Sequence, residues 1–253
     1  MSSFVKGVHG HKMKYKYELH CHTSEGSTCA KISASQMADF YKSAGYTGIV
    51  ITDHFFNGNT TVPKDLEWEE RVDRYCMGYE NAKRRGDEIG LDVFFGWEFK
   101  GDFVTLGLDK DWLKNHRDLD LLEPVEYFRT VHEDGGYIIH VHPFRESKFT
   151  KVLRLYPREV DAMETINAVN TDFQNQISEY IATRYNITKV CGTDNHVGLR
   201  EKIAAMLLDT RVTDIGGLID EIKNNRYEVK EYSVTDTDGK IDLEEYDPFC
   251  DVS

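Results

Sequence analysis

Six of the ten histidines in this chain fall in four short motifs, each closing an apolar run. In order they read Tyr17-Glu18-Leu19-His20-Cys21-His22, Ile49-Val50-Ile51-Thr52-Asp53-His54, Tyr137-Ile138-Ile139-His140-Val141-His142-Pro143 and Cys191-Gly192-Thr193-Asp194-Asn195-His196. A fifth run, Val93-Phe94-Phe95-Gly96-Trp97-Glu98, ends in a carboxylate. Imidazoles and carboxylates together are the donors that hold divalent metals. The carboxyl ends of strands are where barrels and open α/β sheets build their sites. The motifs therefore predict a multinuclear metalloenzyme.

The elements that would position these residues alternate. Strand-like runs at 47–52, 92–98, 103–108, 137–141, 160–166, 189–192 and 204–208 follow the first motif, with helical patterns between most of them. A helix is expected from the Ser33 cap to Ala44, stopping at Gly45. A long charged amphipathic helix is expected over 66–89, one opening at Pro124 and ending at Gly135-Gly136, one over 172–185, and a last one over 215–224. Such βα alternation with buried strands implies a parallel sheet. Polar motifs spread over five strands favour a closed barrel, whose strand ends converge on one mouth.

Strand side chains two apart share a face, so His20 and His22 can chelate one ion. With Asp53-His54, Glu98, His142-Pro143 and Asp194-Asn195-His196, the chain resembles the polymerase and histidinol phosphatase (PHP) family from about Tyr15 to Val229. The resemblance implies a distorted (β/α)7 TIM-like barrel carrying two or three divalent ions (zinc, manganese or iron) and hydrolysing phosphate esters. It implies that His20, His22, Glu98 and Asp194 surround one metal, that Glu98 bridges to a second ion taking His142, and that His54 and His196 hold a third. The chain departs from the family in two places. Where many members place a further ligand after the first motif it has Ser27 and Thr28, with Glu25 and Cys29 nearby. Where members often have a histidine after the glutamate it reads Gly101 to Thr105.

Two ions about 3.5–4 Å apart can clamp phosphate oxygens and generate hydroxide near neutral pH. On that chemistry Asp53, or a water, protonates the leaving alkoxide; orienting His54 is the other reading of Asp53. Arg145 grips the phosphate with its planar fork, or else pairs with Glu146 on the surface. His140 reads as structural, and Trp97 and Phe99 as barrel packing. Glu164 and Asn167 resemble a family segment at the active-site mouth and read equally as capping groups at a strand end.

Composition narrows the partners. A formal net charge of −13 disfavours nucleic acid, and with the phosphate-ester chemistry that the resemblance implies, the expected partner is a small phosphorylated molecule. No apolar run is long enough for a membrane span, and residues 1–16 lack the apolar core of a secretory signal. Five scattered cysteines without a CxxC pair point to reduced thiols and a cytoplasmic protein. The expected organisation is an N-terminal extension (1–14), the barrel (15–230) and an acidic tail (231–253) with a β-hairpin turning at Asp238-Gly239. The competing functions are a barrel hydrolase of C–N bonds and a non-catalytic metal-binding module.

Overall fold

A computed structural model describes residues 14–146 and 152–233. The tail hairpin and nearly all of the N-terminal extension lie outside the described residues. Nine strands form one mixed sheet: β1 (Tyr15–Cys21), β2 (Gly48–Ile51), β3 (Asp92–Phe99), β4 (Phe103–Leu106), β5 (Tyr137–His140), β6 (Ala162–Asn167), β7 (Thr188–Gly192), β8 (Lys202–Leu208) and β9 (Tyr227–Ser233). Their order is β7-β6-β5-β4-β3-β2-β1-β8-β9. The sheet curls until the residues after β7 meet β1, where His22 N–H donates to Asn195 O at 2.8 Å and Asn195 N–H to His20 O at 3.2 Å. The result is a nearly closed, distorted TIM-like barrel. Residues from each of β1 to β8, among them Tyr17, Val50, Phe94, Leu106, Ile139, Ala162, Val190 and Met206, form one core cluster.

The all-parallel expectation fails at two strands. β4 pairs antiparallel with both β3 and β5, and β8 antiparallel with β1 and β9. Only residues 100–102 join β3 to β4, far too few for a parallel crossover. Lys100 and Gly101 turn the chain there with φ of 52° and 69°. The sheet also continues to Ser233 through β9, past the expected barrel boundary at residue 230.

The helices are α1 (Ala34–Ser43), α2 (Trp68–Tyr75), α3 (Met77–Ile89), α4 (Lys110–Asn115), α5 (Pro124–Glu133), α6 (Asp172–Tyr185) and α7 (Ile215–Lys223). Ser33 and Gln36 form the capping box of α1, and Pro124 occupies the first turn of α5. The helix expected over 66–89 is two helices, interrupted at Cys76. The interruption lets Tyr75 Oη donate to Asp53 O, and it seats Gly78 where a Cβ would collide with Thr23 and Asp53. A packing demand from the site side thus overrides helical periodicity. The Lys83-Arg84-Arg85 run is a solvated face, with Lys83 on Asp87 and Arg85 on Asp39 and Glu88.

Candidate metal centre

The loops after the strands bring the predicted ligands together. His20 is the penultimate residue of β1 and His22 directly follows the strand, Glu98 lies near the end of β3, and His54, His142, Asp194 and His196 follow β2, β5 and β7. Glu98 sits centrally: its carboxylate lies 3.8 Å from His20 Nε2, 3.7 Å from His22 Nε2, 2.5 Å from His54 Nδ1 and 3.2 Å from His142 Nε2. Asp194 Oδ1 lies 3.4 Å from His20 Nε2, 3.1 Å from His22 Nε2 and 3.4 Å from His196 Nδ1. Three sets have donor atoms close enough to share an ion: His22, His54 and His196; His20, His22 and Glu98; and His20, His142 and Asp194. His22 belongs to two of them, so the geometry offers it to the third ion of the expected arrangement as well as to the first.

Hydrogen bonds select which nitrogen of each ring is free. His20 Nδ1 lies 3.2 Å from Glu164 Oε1, an acceptor, so it carries the proton and leaves Nε2 a lone pair. Ser27 Oγ donates to Asp53 Oδ1 at 2.7 Å and therefore accepts from His22 Nδ1, 3.2 Å away, freeing Nε2 of His22 as well. His196 Nδ1 faces its acceptor, Asp194 O, at 3.1 Å. The backbone at His142 and Asp194 has φ of 32° and 55°. Side chains seldom adopt that region, and such strain gathers at functional sites.

Two buried ring nitrogens at this centre, His20 Nε2 and His22 Nε2, have no hydrogen-bond partner, and His54 Nδ1 meets Glu98 Oε2 at 2.5 Å without the angles of a hydrogen bond. Buried polar atoms are normally satisfied, and lone pairs converging with carboxylates are what a divalent cation would satisfy. The residues present fit metal ions. The electrostatics agree. Burial tends to raise Glu98, but His54, His142 and His20 outweigh it and hold its carboxyl well below the usual range. Burial and the neighbouring His196 and His54 push His22 well below its ordinary value, so its ring is neutral, as a ligand must be.

The other expected residues have distinct places. Asp53 is almost fully buried and does not line the cavity. It accepts from Thr23 N and Thr23 Oγ1, both at 2.6 Å, and from Ser27. Burial pushes it up to about 6 against those bonds. This position differs from the one a proton donor to substrate requires, and orientation reaches His22 through Ser27. Arg145 pairs with Asp194, not with Glu146, and its fork also donates to Asn167 at 2.6 Å and Asn170 at 2.9 Å. His140 packs against Phe103, outside the three ligand sets, and burial lowers it to about 3. Trp97 and Phe99 are core residues, as expected.

Glu164 turns out to be an orienting carboxylate of the centre, with Asn167 Nδ2 donating to it at 2.7 Å. Its lone acid in the apolar run from Ala162 was the available signal. Glu18, two residues before His20, carries no motif signal in the sequence. It accepts from His20 N, Thr193 N, Thr193 Oγ1 and Tyr41 Oη, tying β1 to the end of β7. A cavity of about 370 Å³ opens beside the cluster, lined by His54, Glu98, His142, Arg145, Asp194 and His196 among others. Asp102 and Arg154 also line it, and no sequence motif marks either.

No protein-family model matches the sequence, and no curated protein does. Solved structures do. A two-domain protein from Bacteroides vulgatus ATCC 8482 containing a predicted PHP-like metal-dependent phosphoesterase matches with a TM-score of 0.65 at 14% identity, over 86% of this chain. The match spans only 65% of that protein's length. PsfC from Pseudomonas syringae PB-5123 matches with a TM-score of 0.55 at 15% identity, over 87% of this chain and 92% of its own. A protein from Bifidobacterium adolescentis ATCC 15703, described as a candidate metal-dependent phosphoesterase, reaches 0.48 at 14% identity, over 81% and 94%. In fold this chain is similar to a protein that contains a predicted PHP-like phosphoesterase, the family that its strand-end motifs resemble.

Proposed function

We propose that the protein is a metal-dependent phosphoesterase acting on a small phosphorylated metabolite, with a phosphomonoester preferred. The observation that carries this reading is the convergence of unsatisfied ring nitrogens and carboxylate oxygens beside a cavity that also holds two arginines. His20, His22, His54, Glu98, His142, Asp194 and His196 would hold two or three ions of zinc, manganese or iron. When bound, such ions supply positive charge to phosphate oxygens and acidify water near neutral pH.

The chain's own groups do the positioning. Glu164 and the Asp53–Ser27 pair keep His20 and His22 in the tautomer that presents Nε2. Arg145 spends three donors on Asp194, Asn167 and Asn170 among the described residues. A guanidinium has five N–H groups, so it can also grip a phosphate oxygen. Arg154 brings a second cation to the same cavity. The cavity suits a small molecule rather than a polymer, and the net charge of −13 argues against nucleic acid. No membrane partner is proposed: no helix among the described residues is long and apolar enough to cross one. A cytoplasmic setting accords with four free, unpaired thiols among the described residues.

The test is phosphate release from sugar phosphates, nucleotides and histidinol phosphate by protein reconstituted with manganese or zinc. Turnover that chelation abolishes is expected. Stoichiometric metal without turnover on any of them would instead favour a C–N hydrolase or a non-catalytic module.

A further inference from the structure

The loop after the first motif, residues 23–32, offers four side chains that could bind metal: Glu25, Ser27, Thr28 and Cys29. Three are engaged elsewhere. Glu25 accepts from Ala34 N at 2.9 Å and from Asn81 Nδ2 at 3.2 Å, which directs it to the start of α1 and to α3. Ser27 Oγ is held by Asp53, and Thr28 Oγ1 by Asn59. Ser27 also touches His22, but of the four only Cys29 carries a soft donor, and its thiol lies against the side chains of His54 and His196.

The backbone fixes that placement from both sides. Ser27 Oγ accepts from His54 N at 3.0 Å, and Lys31 N donates to His196 O at 2.7 Å, so the loop straps the two histidine segments with Cys29 midway. Thr28 N donates to Asn59 O at 2.9 Å, and Ala30 N to Ser27 O at 3.1 Å. Beside them His22, fully buried, presents the unpartnered Nε2 to the set it forms with His54 and His196.

We infer that Cys29 is a thiolate ligand of the third metal site, completing it with His54 and His196. This rests on the metalloenzyme reading above and adds a sulfur donor to it. On binding, the sulfur–metal bond forms as the thiol proton is lost to solvent. A sulfur donor selects zinc or iron over manganese or magnesium, so this ion would differ in affinity from any held by imidazole and carboxylate alone.

Cobalt(II) titration of the whole protein tests it without an activity assay. Thiolate ligation produces an intense near-ultraviolet charge-transfer band, whereas imidazole and carboxylate sites give only weak visible bands. The expected result is a charge-transfer band that Cys29→Ser removes and Cys250→Ser leaves intact, with bound cobalt falling by about one ion per chain in Cys29→Ser. Metal binding should also protect Cys29 from alkylation. Visible bands with no charge-transfer band, or a band that survives Cys29→Ser, would overturn the sulfur ligand and leave the metalloenzyme reading standing. Absence of any cobalt binding would overturn both.

Discussion

Glu164 faces Nδ1 of His20 at 3.2 Å, while the opposite nitrogen of that ring, without a hydrogen-bond partner, lies 3.4 Å from Asp194. A carboxylate behind a histidine sets its tautomer and raises its basicity as a ligand. Glu164→Gln should therefore keep the fold and weaken metal binding by about 10–100-fold. Equal metal affinity in the variant and the parent, measured by competition with a chromophoric chelator, would return Glu164 to a capping role.

His22 joins two of the three ligand sets. His22→Ala should lower bound metal and abolish turnover. It should also remove most of the thermal stabilisation that metal confers on the parent, since a ligand that binds only the folded state stabilises it. Full metal content and full activity in this variant would remove the whole model.

Arg145 holds Asp194 and lines the cavity. Arg145→Ala should chiefly raise KM for phosphorylated substrates, by on the order of tenfold, about 1.4 kcal/mol, measured at saturating metal. An unchanged KM would confine Arg145 to positioning Asp194.

Gly192 passes so close to the centre that a Cβ there would lie 2.6 Å from His20 Cβ and nearer still to Glu164 Oε1. Gly192→Ala should cost about 1–3 kcal/mol of stability and displace the pair that orients His20. A chemical denaturation midpoint equal to the parent's would contradict that close approach.

Burial pushes Glu18 up to about 7 from an ordinary 4.5, against the bonds it accepts from Thr193, His20 and Tyr41. A carboxyl raised on folding binds a proton that the unfolded chain has already released. In metal-free protein its contribution is therefore most favourable below about pH 4.5 and declines as pH rises towards 7. Glu18→Gln should remove that decline, on the order of 3 kcal/mol. Parallel stability–pH curves for the two proteins between pH 5 and 7, the range those values imply, would show Glu18 ionised in the fold.

Much of this protein is legible in its sequence because the relevant signals are local. The two-residue spacing of His20 and His22, the apolar runs that end in acids and imidazoles, Ser33 and Pro124 at helix starts, and Gly90 closing α3 each depend on neighbours along the chain. The reversal of β4 escapes the periodicity argument, although residues 100–102 are too few for a parallel crossover. Other features depend on contacts between distant segments. Tertiary structure alone breaks the helix at Cys76, turns Asp53 toward Thr23 and Ser27, sets Glu164 behind His20 across 144 positions, and lays Cys29 against His54 and His196. Periodicity reports which face a side chain occupies; which partner waits there is decided only when the barrel closes and non-local strand ends share one mouth.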